Sequence, residues 1–362
     1  MIKKLKKLTI QLIAGANFAS VIMMLLVGYS DRINPADHPL LSTAGMTFPA
    51  FLVLNLAFLF FWLLFKWHMI WISVAGFVLA YVPISIYMPL HPSAKAPEDA
   101  IKLISYNVCS YGGNFKYEQG FEKVMDYIAQ ESPDIVCIQE DVDTWRRYAF
   151  REYERHGYAY NDTLSLIDNK HCHNALGIHS RYPVLRSERI PYTSMANGSV
   201  AWWLKVGNDT MIVVNNHLES CHLNLRDRRQ YRQIIRGEIS GDSARSESRL
   251  LLVKLAEANA IRAGQIKAVC RFVEEHSQYP IIVCGDFNDN PISYSRHVMA
   301  ELLTDCYKET GNGIGLSYNQ KAFSLRIDYV FCNEKLKPYY SKIDGKMDAS
   351  DHNPFVCSLK IK

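Results

Sequence analysis

The segment Ile281-Ile-Val-Cys-Gly-Asp-Phe-Asn288 runs from a short apolar stretch directly into two polar side chains. Its apolar residues predict a buried strand over residues 280–284. Asp286 and Asn288 are two residues apart, so an extended backbone points both side chains to the same side. The segment therefore predicts a strand that brings a carboxylate and an amide to one place at its end.

The same arrangement recurs along the chain after residue 100. Strand-like apolar runs contain, or lie next to, polar groups at Ser105-Tyr-Asn107, Gln139-Glu140, Asn215-Asn-His217, Arg326-Ile-Asp-Tyr-Val-Phe331 and Ser350-Asp-His-Asn-Pro354. Asn215 and His217 are again two apart, which places them on one face of their strand. We therefore expect these polar groups to converge on one location.

Strands and helices are interspersed from residue 101 onward. Strands are predicted at 101–107, 134–139, 175–179, 201–206, 210–217, 280–284, 326–332 and 353–359, and helices at 121–131 and 250–276. Many strands with few long helices favour an α/β architecture in which two sheets pack together and the helices lie outside them.

Taken together, these ordered motifs resemble the endonuclease/exonuclease/phosphatase superfamily, the metal-dependent phosphoesterases that share the fold of pancreatic-type DNases. The resemblance covers about residues 101–362. Six motifs in the correct order are far more specific than any single one. The resemblance implies a four-layered α/β/β/α sandwich and hydrolysis of a phosphodiester or phosphomonoester by attack of water.

The resemblance, carried over residue by residue, implies a metal site. Glu140 would be the principal ligand of Mg²⁺ (or Mn²⁺), Asn107 would help to hold metal or phosphate, and Asp351 would reach the metal, often through water. Asn215 would contact substrate as the same-face neighbour of His217. Magnesium prefers oxygen ligands of this kind. Glu140 taken alone would be interpreted as a surface acid at a strand end, and its place in the motif order favours the metal role.

The same resemblance implies a catalytic group. Asp286 would position and activate the attacking water, and Asn288 would steady the phosphate oxygens. His352 would be hydrogen-bonded to Asp328, which fixes the imidazole, while its other ring nitrogen faces phosphate. His217 would contact the phosphate or assist protonation of the leaving group. Each residue taken alone is also compatible with a turn or a loop cap.

Three stretches without charged residues precede the sandwich, at about 9–30, 46–65 and 69–90. Each has about the length of roughly 20 apolar residues that spans a bilayer. We therefore expect an all-α transmembrane anchor of about three helices within residues 1–90, a polar linker at 91–100 and the catalytic domain at 101–362. A cleaved signal peptide and a buried helical subdomain are the alternatives, and the presence of three such stretches favours the anchor.

The positive residues near the first stretch predict the orientation. Lys3, Lys4, Lys6 and Lys7 favour a cytoplasmic N-terminus, and three crossings then place the catalytic domain outside the cytoplasm, attached to the plasma (inner) membrane. Nine cysteines without a Cys-x-x-Cys motif argue in the other direction, because free thiols fit a reducing compartment.

A run of arginines at 226, 228, 229, 232, 236, 245 and 249 has two interpretations. Arginine suits phosphate, so the run, with Arg262 beyond it, could form a lid or wall of the cleft. Four interleaved acids also fit a solvated helix face. Residues 101–362 hold 33 Lys and Arg against 32 Asp and Glu, a balance that argues against a generic duplex-DNA-binding protein.

The sequence thus predicts a membrane-anchored, Mg²⁺- or Mn²⁺-dependent phosphoester hydrolase. Its expected partners are the lipid bilayer, through the N-terminal helices, and a phosphoester substrate such as a lipid head group, a nucleotide or a nucleic acid. No obligate protein partner is inferred. An extracytoplasmic nuclease and a catalytically silent membrane scaffold are the alternatives.

Overall fold

The protein is described by a computed structural model that covers residues 2–92, 94–112, 119–141, 146–166, 174–194, 196–221, 225–236, 238–320 and 323–362. Four helices form the N-terminal region: α1 (Ile2–Gly28), α2 (Phe48–Phe65), α3 (Ile70–Leu79) and α4 (Tyr81–Tyr87). A short 3₁₀ segment, Leu41–Thr47, leads into α2. The first two helical stretches are long and apolar enough to cross a bilayer.

The third predicted span is divided into α3 and α4, which meet at an angle of 65°. Pro83 explains the bend, because proline has no amide hydrogen to donate to the carbonyl four residues earlier. That carbonyl, of Leu79, instead accepts a hydrogen bond of 2.8 Å from the Tyr29 hydroxyl. The two helices together provide a third span only if the bent pair is counted as one.

A buried polar network joins the apolar helices. Asn17 donates to Asn55 Oδ1 at 3.2 Å, and its own Oδ1 accepts from Trp62 Nε1 at 2.9 Å and from Ser73 Oγ at 3.1 Å. Interhelical hydrogen bonds of this kind stabilise helix association in membranes by about 1 kcal/mol. Asn17 on α1 therefore fixes the relative placement of α2 and α3.

Two six-stranded sheets form the body of the molecule and confirm the predicted α/β sandwich. The first has the order β13 (Leu336–Ile343), β14 (Phe355–Ile361), β1 (Ile101–Asn107), β2 (Ile135–Asp141), β4 (Ala175–Ser180) and β3 (Tyr160–Ser165). The second has the order β5 (Val184–Arg189), β6 (Gly198–Val206), β7 (Asp209–His217), β8 (Ile281–Asp286), β12 (Asp328–Cys332) and β9 (Thr304–Asp305). A small hairpin, β10 (Tyr318–Gln320) and β11 (Phe323–Leu325), lies apart from both.

Helices cover the outer face of each sheet. The remaining helical segments are α5 (Cys109–Gly112), α6 (Gly120–Glu131), α7 (Arg146–Arg155), α8 (Leu225–Ile235), α9 (Gly241–Glu275), α10 (Tyr294–Leu302) and α11 (Cys306–Thr310). Residues of α6 and α7 pack on the first sheet, and residues of α9 and α10 pack on the second. A separate apolar layer fills the space between the sheets, which gives the four layers α/β/β/α.

Both faces of strand β7 are buried. Met211 and Val213 belong to the layer between the sheets, whereas Ile212 and Val214 pack toward the outer helices. Side chains alternate along a strand, so the middle of a central strand with two covered faces, here 211–214, is apolar at every position. His217, two residues beyond Asn215, lies on the inner face at the strand end.

The eight described cysteines are free thiols, and Cys172 lies outside the described residues. Six of the eight are buried, several of them between the two sheets. Burial raises the pKa of the Cys137 thiol well above its usual value. These thiols therefore behave as small apolar side chains of the core.

The N-terminal helices contact the sandwich through polar and apolar side chains. Asn259 on α9 donates to Ser42 Oγ at 3.0 Å, and His297 on α10 lies 3.3 Å from Asp31. Gly45 packs so closely that a Cβ there would lie 1.9 Å from the Ile292 carbonyl oxygen. Only glycine permits this approach.

Arg326 forms a second link between the two regions. Its guanidinium is buried and donates to the carbonyls of Ile86 and Tyr87 at the end of α4. Its face also lies 4.5 Å from the ring centroid of Tyr307. The last carbonyls of a helix lack partners within the helix, so Arg326 caps α4 from the catalytic domain.

Candidate active site

Six of the predicted site residues converge at one edge of the sandwich, between the two sheets. Asn107 ends β1, His217 ends β7, and Asp286 ends β8. Asp328 begins β12, which runs antiparallel to β8 with Asp328 paired to Asp286. Glu140 on β2 and His352 before β14 complete the group. We call this the catalytic edge.

One carboxylate oxygen, Asp286 Oδ2, lies at the centre of the group. It accepts from Asn107 Nδ2 at 3.1 Å and lies 3.7 Å from His217 Nε2 and 3.6 Å from His352 Nε2. The other oxygen accepts from the Asn288 backbone amide at 2.8 Å. Asp286 is thus held in one orientation by groups from four separate segments.

Gly285 allows Asp286 to reach this position. Its φ of +126° lies in a region that favours glycine, and a Cβ there would lie 2.0 Å from the Asn216 carbonyl oxygen on β7. Side chains are excluded from such a position by sterics. The glycine therefore permits close contact of β7 and β8 immediately before the Asp286 carboxylate.

Glu140 projects from an irregularity in β2. The pairing of β2 with β4 shifts between Gln139 and Asp141, and Glu140 has a φ of +55°. Asn288 also has a positive φ, of +52°. Strained backbone of this kind is maintained where the surrounding structure enforces it, and it is frequent at functional sites. The bulge turns the Glu140 carboxylate toward Asn107 Nδ2, at 3.1 Å.

The two histidines are in opposite electrostatic environments. His352 Nδ1 lies 2.9 Å from Asp328 Oδ2. Burial acts to lower the pKa of His352, but the carboxylates of Asp328 and Asp286 outweigh it and raise the pKa to about 10. Burial lowers the pKa of His217, with Asp286 opposing. His352 is therefore a cationic donor at neutral pH, whereas His217 is neutral.

Burial also acts on the acids. It raises the pKa of Asp286 to about 6, with the His352 imidazolium opposing and the Asp328 carboxylate adding to the rise. It likewise raises the pKa of Glu140, against the hydrogen bond from Asn107. Several acids close together in a low-dielectric site repel one another, so this cluster favours a cation.

The side chains of three further predicted site residues contact residues outside the catalytic edge. Asn215 is fully buried, and its amide donates to the carbonyls of Ile138 and Gly177 at 2.9 and 3.2 Å, so it links the two sheets beneath the site. Asn288 donates its side-chain amide to the Leu218 carbonyl at 3.0 Å. Asp351 lies 3.3 Å from Gln320 Nε2 and is close enough to raise the pKa of Glu140 by repulsion.

Arg262 supports the site from a place that was not predicted from the sequence. Its side chain is 1% exposed, so it belongs to no lid. It donates to the Glu219 carbonyl at 2.7 Å and lies 3.4 Å from Asp289, and thereby fixes the loops that follow His217 and Asn288. Its buried position could have been inferred from the sequence, because Arg262 is four residues from Ile266 and seven from Val269, which lie on the apolar face of α9.

Tyr318 on β10 is the second such residue. Its ring lies edge-on to His352, with the centroids 5.1 Å apart. A short hairpin strand has no periodicity from which this contact could have been predicted. Tyr318 therefore packs against His352 at the site.

The donor set fits a divalent cation. Asp328 Oδ1 is buried and has no hydrogen-bond partner among the described residues. Ligand atoms of Asp286, Asp328 and His352 lie within 4.8 Å of one another, but the imidazolium of His352 has no free lone pair for a metal. The oxygen donors beside it, on Asp286, Asp328 and Glu140, are therefore the ones that fit a cation. Carboxylate oxygens of this kind are the ligands that Mg²⁺ prefers.

Comparison with known proteins is consistent with this geometry. The sequence profile described as "Endonuclease/Exonuclease/phosphatase family" matches residues 104–352, and a domain of unknown function (DUF8431) matches residues 10–87. No functionally curated protein is significantly similar to the chain in sequence.

Solved structures show the same fold at low sequence identity. The human Nocturnin catalytic domain with bound sulfate has 16% identity and a TM-score of 0.53, over 73% of this chain and 94% of that one. A Beutenbergia cavernae endonuclease/exonuclease/phosphatase has 15% identity and a TM-score of 0.53, over 73% and 72%. A Bacteroides thetaiotaomicron protein of that family has 14% identity and a TM-score of 0.52, over 73% and 98%.

Proposed function

The chain belongs to the endonuclease/exonuclease/phosphatase family, and from this premise we propose that it is a membrane-anchored, Mg²⁺- or Mn²⁺-dependent hydrolase of a phosphodiester or phosphomonoester. The observation that carries this proposal is the convergence of Asn107, Glu140, His217, Asp286 and His352 on one edge of a phosphoesterase fold.

We assign the metal to the Glu140 side of the site. Glu140 would be the principal ligand, with Asn107 and Asp351 assisting directly or through water. When bound, the ion would neutralise charge on the phosphate oxygens and orient the substrate. The Asp328–His352 hydrogen bond of 2.9 Å occupies one oxygen and one ring nitrogen, so we assign that pair to proton and phosphate contacts.

Each side chain of the site has a separate role in the proposed hydrolysis. Asp286 accepts the proton of the attacking water, whose oxygen forms the new bond to phosphorus while the bond to the leaving oxygen breaks. The His352 imidazolium, oriented by Asp328, donates to a phosphate oxygen and stabilises developing negative charge. His217, whose Nε2 lies 3.7 Å from Asp286 Oδ2, contacts the phosphate or assists protonation of the leaving oxygen by passing on the proton that Asp286 has accepted. The second amide hydrogen of Asn288 steadies another oxygen.

We further propose that α1, α2 and the bent pair α3–α4 form the anchor over residues 1–90, with 91–100 as linker and 101–362 as the catalytic domain. The four lysines in the first two turns of α1 favour a cytoplasmic N-terminus. The segment Leu41–Thr47 and the end of α4 both contact the catalytic domain. Both lie on the side of the helices opposite to the N-terminus of α1, which supports an extracytoplasmic catalytic domain.

The test uses the full chain in detergent micelles, with bis(p-nitrophenyl) phosphate and p-nitrophenyl phosphate as substrates. Hydrolysis is measured with Mg²⁺, with Mn²⁺ and with a chelator. We expect metal-dependent turnover that falls by at least about 100-fold in Asp286→Asn and in His352→Ala. Asp209→Asn, an exposed acid at the opposite end of β7, is the matched control and keeps full activity.

The outcomes separate the alternatives. Undiminished hydrolysis by the two site variants would refute the residue assignment. Absence of hydrolysis together with absence of metal binding in calorimetry would favour the scaffold interpretation. Preferential cleavage of oligonucleotides over phospholipid vesicles would identify a nuclease, and the reverse would identify a lipid head group as substrate.

A further inference from the structure

The arginine-rich segment that ends in the first part of α9 has no role in the proposed reaction. It consists of α8 and the first part of α9, residues 225–258, of which residue 237 lies outside the described residues. We call it the arm. Asp227 on α8 pairs with Lys254 on α9 at 2.7 Å, which folds the two helices together.

The arm projects beyond the catalytic edge. Helix α9 leads through a short turn into β8, and Asp286 ends that strand, so the N-terminal end of α9 points toward the catalytic edge. Arg262 marks the level of this edge through its contacts with Asp289 and the Glu219 carbonyl. The residues from Gly241 to that level extend for about 30 Å at 1.5 Å per residue.

Helix α9 contacts the proposed anchor close to Arg262. Asn259 donates to Ser42, and Ser42 lies in the segment that connects α1 with α2. The body of the domain packs against α9 on the C-terminal side of Asn259. The N-terminal part of α9 therefore continues beyond the contact with Ser42, and under the proposed anchoring that contact lies at the membrane surface.

The face of α9 that contacts this segment continues along the arm. Arg245, Leu252 and Asn259 are spaced by seven residues, so they lie on one side of the helix. Leu252 is 45% exposed, and the Arg245 side chain is 88% exposed, with Asp242 no closer than 3.9 Å. Arg249 is exposed beside them. The face combines apolar and cationic side chains.

The arm also carries an excess of positive charge. Residues 225–258 contain eight Lys and Arg against five Asp and Glu, although residues 101–362 as a whole are nearly balanced. Exposed leucines flanked by arginines are typical of helices that lie in the interface of an anionic bilayer. We propose that the arm lies on the membrane surface beside the active site, with its leucines at the acyl boundary and its arginines on anionic head groups.

This inference depends on the proposed membrane anchor and not on catalysis, so its test uses no activity measurement. The full chain is placed in nanodiscs of phosphatidylcholine alone or mixed with phosphatidylglycerol. Amide hydrogen exchange is followed over residues 241–256. We expect exchange to be slower in the mixed nanodiscs than in phosphatidylcholine or in detergent.

Matched variants assign the effect to this face. Arg245→Gln combined with Arg249→Gln is expected to reduce the slowing by about 25-fold, from about fivefold per arginine at an anionic surface. Arg271→Gln, an exposed arginine near the other end of α9, is expected to change nothing. Leu252→Ser is expected to weaken protection in both lipids, whereas Leu185→Ser on β5 is the apolar control.

Two results would overturn the proposal. Equal exchange in both nanodiscs and in detergent would show that the arm does not contact lipid. Equal protection in the double arginine variant and in Arg271→Gln would show that another surface is responsible. Failure of the chain to enter nanodiscs would refute the anchor itself, and with it the premise of this inference, while leaving the hydrolase assignment to its own assay.

Discussion

A drop in pH is expected to destabilise the catalytic domain through His179 on β4. Its ring lies parallel to that of Tyr153, with the centroids 3.4 Å apart. Asn161 is 2.7 Å from Nδ1, and Nε2 has no partner among the described residues. Burial lowers the pKa of His179 to about 3, whereas a histidine in an unfolded chain titrates near about 6.5.

The sign and size of the effect of pH on stability follow from this difference in pKa. Below about pH 6.5 the imidazole of His179 is protonated in the unfolded state, whereas in the folded state it stays neutral until about pH 3. The free energy of unfolding therefore decreases as the pH falls. Between about pH 7.5 and about pH 5 the loss is about 2 kcal/mol. For a domain of this size, that corresponds to a decrease in Tm of about 4–8 °C.

Scanning calorimetry of the full chain in detergent at the two pH values measures this loss. His179→Gln retains a hydrogen-bonding group for Asn161 but does not titrate, so its Tm is expected to fall by about 4–8 °C less than that of the wild type over the same interval. His276→Gln, at the end of α9, is the control and is expected to keep the wild-type dependence. Equal decreases in Tm for wild type and His179→Gln would refute the reasoning.

Three further substitutions test other contacts. Asp328→Asn removes the charge that orients His352 and is expected to lower kcat by about 10²- to 10⁴-fold, measured by steady-state hydrolysis; an unchanged kcat would exclude the pair from catalysis. Asn17→Ala deprives two donors of their acceptor and is expected to destabilise the helical region by about 1 kcal/mol, measured by thermal unfolding in detergent. Arg326→Gln leaves the last carbonyls of α4 without a charged donor, at a cost of about 1–3 kcal/mol each. Tryptic cleavage at Lys95 should then become faster than in the wild type, and an equal rate would contradict the proposed link.

The central strands could be predicted from the sequence because they are covered on both faces. Ile281–Asp286 and Asp209–His217 each contain a run of four apolar residues that precedes polar ones, and each was predicted within a few residues of its bounds. The edge strands β3, β5 and β13 could not be predicted in this way. Val184–Arg189 is mostly exposed, and Leu336–Ile343 is interrupted at Pro338, where its pairing with β14 shifts. An edge strand buries little apolar surface, so its periodicity is weak.

Part of the candidate site could likewise be predicted from the sequence, and part could not. The side chains at the ends of central strands were predictable, because strand direction and a period of two determine where they point. The bulge that turns the Glu140 carboxylate toward Asn107 depends on how β2 pairs with β4. No local sequence pattern determines that pairing. Arg262 and Tyr318 reach the site from elements distant in sequence, so their contacts follow only from the packing of α9 and β10.

The links between helices and sandwich make the N-terminal region part of the site's scaffold. Ile292, which packs among the residues of the helical region, follows Asn288 by four residues, and Arg326, which caps α4, precedes Asp328 by two. Displacement of either contact would pass through at most four residues before it reached a catalytic side chain. A misplacement of about 1 Å can reduce catalysis by about 100-fold. We therefore regard the helices as a support that holds β8 and β12 in register at the catalytic edge, in addition to the membrane tether proposed for them. The hydrolase is accordingly best studied as the whole chain.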